Sequence, residues 1–241
     1  MHQIEPYRIV NPGAAAPVLL ICDHAANAVP ASLRNLDLPE SDLNRHIAWD
    51  IGAEAVTLGL AARLGATAVL GSVSRLVIDL NRDPTLADAI PKESDGIEIP
   101  GNRNLTYVEI TERIDSYFIP YHQAVEKEIA RLGRPTLVSL HSFTPVMNGQ
   151  TRPWQVGILW NQDGRLAVPL IEVLSQRPGL CVGDNLPYSG RELAYSLNRH
   201  GANRQLLHVG IELRQDEIDQ PGKAEAWAEI LCETLKPLVL T

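Results

Sequence analysis

The feature that most constrains this chain is an alternation: short apolar runs of strand length recur between longer stretches with helical spacing. Such alternation predicts an α/β fold with a mostly parallel sheet flanked by helices, because parallel neighbours need a long crossover between them. The runs are VLLIC (Val18 to Cys22), ATAVL (Ala66 to Leu70), RLVIDL (Arg75 to Leu80), TLVSL (Thr136 to Leu140), QVGILW (Gln155 to Trp160) and HVGIEL (His208 to Leu213). Their length and β-branched content suit strands. Hydrophobic residues fill 45% of the 241 positions, enough for a full-sized core in one domain spanning 1–241.

Between the first two runs, Leu43, Ile47, Ile51, Ala55, Leu58 and Ala62 recur at spacings of three and four. This predicts one amphipathic helix, capped at Ser41 and stopped after Leu64 by Gly65. Further helices are expected over Tyr107 to Leu132, Arg165 to Leu174, Arg191 to His200 and Lys223 to Leu235. The segment Asp83 to Asn104 has three prolines, two glycines and little periodicity. It reads either as a lid or as a surface excursion with no role.

Charge narrows the partners. With 29 Asp and Glu against 21 Lys and Arg, the formal net charge of -8 opposes a nucleic-acid backbone or an anionic membrane surface. No stretch approaches the roughly 20 apolar residues needed to span a bilayer. The opening MHQIEPYRIVNPG lacks the basic and apolar regions of a signal peptide, so a cytoplasmic protein is expected. Cys22, Cys181 and Cys232 are odd in number, far apart and set among apolar residues, which predicts buried thiols rather than disulfides or a metal knuckle.

Four of the apolar runs lead into polar residues of the kinds that hydrolytic sites use. VLLIC continues into Asp23-His24, RLVIDL into Asn81-Arg82 and TLVSL into His141-Ser142, while HVGIEL carries Glu212 beside its end. Ligands of open parallel sheets bind beyond the carboxyl ends of the strands, so these groups are expected to share one crevice. Two histidines with carboxylates suit Zn²⁺, which leaves one position for water in catalytic sites. A carboxylate off the metal can then take the water's proton. Glu212, between Ile211 and Leu213, is the favoured base, with burial raising its pKa; an ion pair with Arg214 is the alternative.

At these residues the chain resembles the N-formylglutamate amidohydrolase family, relatives of zinc carboxypeptidases and aspartoacylases. The likeness runs in order through CDHAANAVP (Cys22 to Pro30), HIAWDIGA (His46 to Ala53), SRLVIDLNRDP (Ser74 to Pro84), LHSFTP (Leu140 to Pro145), NLPYSG (Asn185 to Gly190) and GIELRQD (Gly210 to Asp216). The resemblance implies a phosphorylase/hydrolase-like α/β fold, one zinc ion and an amide-hydrolysing site, with His24 and His141 matching the ligand histidines. In the wider superfamily a glutamate ligand follows the first histidine by three residues, where this chain has Asn27. The third ligand therefore stays open between Asn27 and Asp50, which helical spacing puts one turn beyond His46; Asp50 paired with His46 is the other reading.

Asp79 to Arg82 is similar to the superfamily segment that holds the substrate's carboxylate, which gives that role to Asn81 and Arg82. A guanidinium matches a carboxylate through two parallel hydrogen bonds. Arg75 lies near the position of an arginine that polarises the scissile carbonyl in that superfamily. Tyr188, Ser189 and Arg191 form a polar turn with Asn185. There Tyr188 is expected to reach an oxyanion and Arg191 a second substrate carboxylate, though a capped helix start explains the same residues. The implied partner is a small-molecule N-acyl amino acid, N-formyl-L-glutamate, cleaved to formate and glutamate. Acetyl or succinyl derivatives, and a non-catalytic carboxylate-binding protein, are the alternatives. A Ser-His-Asp hydrolase built on Ser142 or Ser189 lacks a GxSxG-like elbow.

Overall fold

The structure is a computed structural model that describes residues 4–240. Its centre is a mixed sheet of β1 (Tyr7–Val10), β2 (Val18–Cys22), β3 (Thr67–Gly71), β4 (Thr136–Phe143), β5 (Val156–Leu159), β6 (Val182–Asp184) and β7 (His208–Arg214). The spatial order is β1-β3-β2-β4-β7-β5-β6. Strands β3, β2, β4 and β7 are mutually parallel, β1 runs antiparallel on β3, and β5 runs antiparallel to β7 with β6 parallel beside it. The expected mostly parallel α/β sheet is present, and the carboxyl ends of β2, β4 and β7 lie at one edge.

Strand alternation divides the interior into two cores. Val18, Leu20 and Cys22 of β2, with Val209, Ile211 and Leu213 of β7, pack under α1 (Ala53–Leu64), together with Ala224, Trp227, Ala228 and Leu231 further along the chain. Leu19, Ile21 and Leu137 point to the other face, against Phe118, Tyr121 and Leu197. On that second face the helices are α2 (Tyr107–Arg113), α3 (Ile119–Leu132) and, further along, α5 (Tyr195–His200); α4 (Ala167–Ser175) and α6 (Pro221–Val239) cover the first. The result is a three-layer sandwich, helices on sheet on helices.

Several expected elements differ in extent. The helix expected over Ser41 to Leu64 begins at Ala53; before it stand one turn at Glu40–Leu43 and an irregular stretch. Gly52 causes the break: its φ is 81°, and a Cβ there would lie 2.4 Å from the Ile218 carbonyl oxygen, so the chain turns at a point only glycine fits. The predicted stop holds, since Gly65 caps α1 in the left-handed conformation.

The RLVIDL run is not a strand. Residues 75–80 are irregular, with turns at 75–77 and 80, and Leu76, Val77, Ile78 and Leu80 are buried in the second core. The expected helix over Tyr107 to Leu132 is present but widened by a π-helical turn at Ile114–Phe118. That turn ends two residues before Pro120, which has no N–H and crowds the carbonyl one turn back. Only Tyr195–His200 of the segment from Arg191 is helical. Among the cysteines, Cys22 is buried, Cys232 half-buried and Cys181 exposed, so the expectation of three buried thiols fails at Cys181. No helix among the described residues is long and apolar enough to cross a membrane.

Candidate active site

The carboxyl edge of the sheet gathers the chemistry-bearing residues around a cavity of about 350 Å³. His24 follows β2 in a turn, whereas His141 lies inside β4, which runs on to Phe143. Glu212 of β7 is the register partner of His141, so both side chains stand on the same face of neighbouring parallel strands. Asp50 arrives from the irregular stretch before α1, where its backbone N–H donates to the His24 carbonyl oxygen at 3.0 Å.

These groups converge on Asp50. His24 Nδ1 lies 3.3 Å, and His141 Nδ1 2.8 Å, from the same Asp50 oxygen, Oδ2. Each ring is held from behind through its other nitrogen: His24 Nε2 is 2.7 Å from Asp79 Oδ1, and His141 Nε2 is 3.2 Å from Asp23 Oδ2. The first is a hydrogen bond; the second is an ion-pair distance without hydrogen-bond alignment, since Asp23 Oδ2 has no hydrogen-bond partner. Asp23 is in turn fixed through Oδ1, which accepts from the Tyr121 hydroxyl at 2.7 Å and the Ser196 hydroxyl at 2.8 Å. The π-turn helix thus supplies a support for the site through Tyr121, the residue after Pro120.

Burial opposes charge on both imidazoles, yet their pKa values are raised, by Asp79 and Asp50 at His24 and by Asp23 and Asp50 at His141. Burial also works to raise the Asp50 pKa, but His24 and His141 outweigh it and hold that carboxyl well below its usual range. Glu212 behaves oppositely. Burial dominates, with Asp50 adding repulsion, and its pKa is pushed up to about 7. Its Oε2 is buried without a hydrogen-bond partner.

This arrangement fits a divalent metal. Two ring nitrogens and a carboxylate oxygen, all buried and all within 4.8 Å of one another, form one cluster of His24, Asp50 and His141. With one proton per ring, carried on the Nε2 that faces Asp79 or Asp23, both Nδ1 atoms turn lone pairs toward an anionic oxygen, a contact relieved either by a second proton on each ring or by a cation among them. Asp23, Asp50 and Asp79 carry three negative charges against one on Arg75, a surplus that two protonated imidazoles, or one dication among neutral imidazoles, would balance.

Other expected site residues divide. Arg75 lines the cavity but is already engaged: Nε and Nη2 donate to Asp79 Oδ2 at 3.2 and 2.8 Å, while Nη1 makes only a 3.4 Å contact to Asp50 Oδ1. Asn81 and Arg82 line the same cavity, the first held by donation of the Ser196 N–H to its Oδ1, the second 3.3 Å from Asp88. Tyr188 lines it too, but Ser189 and Arg191 do not. Ser189 Oγ accepts the Arg191 backbone N–H, and exposed Arg191 sits over the Trp160 ring at 6.0 Å, away from the cavity lining.

Asn27 is turned away, its amide donating to Leu43 O at 2.9 Å and Asn44 Oδ1 at 3.0 Å, so it is not in the cluster. The reading of Asp50 on a shared helix face with His46 is corrected, because no helix runs there. His46 pairs instead with Asp95 at 3.3 Å. Burial, and then the charges of Arg45, Arg75 and Arg152 against the pull of Asp95, hold His46 below its usual pKa. Arg214 pairs with Asp216 and Glu217, leaving Glu212 free. Sequence reasoning gave no role to the supports Asp23 and Asp79, although both stand beside residues it selected. It passed over Arg152, whose one signal is its place after the hairpin Val146–Met147 and Gln150–Thr151.

Known proteins agree with this architecture. A gene product from Agrobacterium tumefaciens of known crystal structure is 35% identical, over 97% of this chain and 94% of that one, with a TM-score of 0.93. The crystal structure of N-formylglutamate amidohydrolase from Ralstonia eutropha JMP134 shares the fold at 20% identity, covering 98% of this chain and all of that one, with a TM-score of 0.73. No curated protein matches the sequence significantly. Residues 16–218 match the model of the N-formylglutamate amidohydrolase family, and the chain belongs to that family.

Proposed function

We propose that this chain is a zinc-dependent amidohydrolase that removes the formyl group from N-formyl-L-glutamate, giving formate and glutamate. The observation that carries the reading is Glu212: a buried carboxyl with an unpartnered oxygen, in register with His141 at the edge of a cluster suited to a metal. A buried acid left unsatisfied is costly, and such cost is retained where the group has a proton to move.

His24, His141 and Asp50 would hold the ion, with Asp79 and Asp23 fixing the rings behind it. Zinc in that place supplies Lewis acidity, polarising a carbonyl and making water easier to deprotonate. Glu212 accepts the proton of the attacking water and delivers it to the departing amine nitrogen. Burial raises its pKa above the ordinary carboxylate range and so favours taking the water's proton, while a dication beside it would draw that pKa back down. Arg75 locks Asp79 against His24 with two N–H groups, and its loosely held Nη1 is the donor left to meet the oxyanion. Asn81 and Arg82 receive a substrate carboxylate at the cavity wall. The segment 83–104, which contributes Asp88, Pro91, Ser94 and Asp95 to the cavity lining, acts as its cover.

The test is an assay of formyl, acetyl and succinyl derivatives of glutamate with added Zn²⁺ and with a chelator. Formylglutamate should be cleaved fastest and the chelator should stop it. Full activity in a preparation free of metal would refute the scheme.

A further inference from the structure

A substrate with two carboxylates calls for a cation at the cavity besides Arg82 and the engaged Arg75. N-formylglutamate carries two carboxylates, and Asn81 with Arg82 accounts for one. Arg75 holds Asp79 with two N–H groups and keeps its Nη1 for the oxyanion, and Arg191 stacks on Trp160, a ring that does not line the cavity. Arg152 does not itself line the cavity, but it stands directly behind residues that do, touching Thr144 of the wall. Its guanidinium lies 5.0 Å from the Tyr188 ring centroid and 5.7 Å from that of Phe143, and both rings line the cavity.

Among the described residues it meets no carboxylate; its side-chain hydrogen bonds are two long contacts from Nη1, each 3.4 Å, to the carbonyl and hydroxyl oxygens of Thr144. A guanidinium has five N–H donors, so most of this one's capacity is unspent. Its backbone is pinned, since the N–H donates to Pro145 O at 2.8 Å and the carbonyl accepts from Arg214 Nη1 at 3.1 Å. Aromatic rings that hold a guanidinium by its face leave its edge to bind an anion.

We propose that Arg152 receives the side-chain carboxylate of the N-formyl amino acid and so sets the preference for acidic over neutral side chains. This rests on the reading of the site as an N-formyl amino-acid hydrolase. It gives Arg152 the task that the sequence assigned to Arg191.

The test compares N-formyl-L-glutamate with N-formyl-L-glutamine, which differ in charge and hardly in size, in the zinc-loaded wild type, Arg152→Met and Arg152→Lys. Methionine keeps the aliphatic bulk against Phe143 and Tyr188. The loss of kcat/KM in Arg152→Met should be about 10- to 100-fold greater for the glutamate derivative than for the glutamine one, mostly through KM, with lysine restoring part. Equal losses on both substrates would show a packing role and overturn the proposal. Calorimetric binding of L-glutamate and L-glutamine to the same proteins separates this proposal from the assigned activity. If the wild type cleaves neither formyl compound, the hydrolase reading falls. Arg152 is then judged by binding alone: a wild-type preference for glutamate that disappears in Arg152→Met supports its role, and no preference, or one unchanged by the substitution, sinks it.

Discussion

Glu212 and His141 face each other across β7 and β4 as register partners, so the sheet itself fixes the distance between the proposed base and a proposed ligand. Neither residue depends on a loop for its placement. Glu212→Gln keeps the shape of the side chain but cannot take a proton. It should lower kcat by about 100- to 10,000-fold while zinc content stays near one ion per chain by elemental analysis. Loss of the metal along with activity would instead make Glu212 a ligand.

Asp79 acts one step further from the metal. It accepts from His24 Nε2 at 2.7 Å and so decides which ring nitrogen faces Asp50. Replacement by asparagine should weaken zinc binding about 10- to 100-fold, measured by competition with a chromophoric chelator. Unchanged affinity would show that His24 is oriented without it.

The buried pair of His122 and His200 makes stability depend on pH. His122 Nδ1 lies 2.8 Å from His200 Nε2, and neither ring reaches solvent. Burial, with the neighbouring His200 at His122 and with Arg199 and Arg204 at His200, lowers both pKa values to about 3. Unfolded histidine takes up its proton near its ordinary value of 6.5. The unfolded chain therefore binds more protons than the folded one between these values, and stability should fall as pH drops through 6.5 toward 3. Urea denaturation at several pH values measures the slope, and His200→Gln should make it shallower. An identical slope in that variant would assign the effect to other groups.

Asp88 already occupies Arg82 at 3.3 Å, in the place where a substrate carboxylate is proposed to bind. Its side chain is 60% exposed, so the pair is worth at most about 1 kcal/mol. Asp88→Asn removes a competing anion and should lower KM for formylglutamate by up to about fivefold, with kcat unchanged. A raised KM would mean that Asp88 helps to shape the bound state.

How far the sequence could be read depended on what kind of signal each residue left. His24 and Glu212 were legible because they stand at the ends of apolar runs, and parallel strands send such ends to one edge. His141 was legible for the same reason, although the strand carries it inside. Asp50 was chosen from a helical period that the chain does not follow, since the left-handed turn at Gly52 is decided by the nearby Ile218 backbone, which no local pattern encodes. The RLVIDL run misled because a buried irregular segment is as apolar as a strand, and period alone cannot part them. Ser189 and Arg191 belong to a donor-rich loop that resembles a site in sequence, but of that loop the fold turns Tyr188 and Leu193 to the cavity. Arg152 left no periodic trace at all.

The three proposed ligands come from segments far apart in the chain: His24 and Asp50 are separated by 26 residues, Asp50 and His141 by 91. No local fragment can assemble such a set, so an ion held there binds the completed sheet and hardly at all the unfolded chain. Zinc would then serve as a fastener as well as a reagent, drawing together the first strand of the parallel block and its middle. The melting temperature would climb with free metal concentration, and a cell short of zinc would lose the protein to degradation as well as to inactivity.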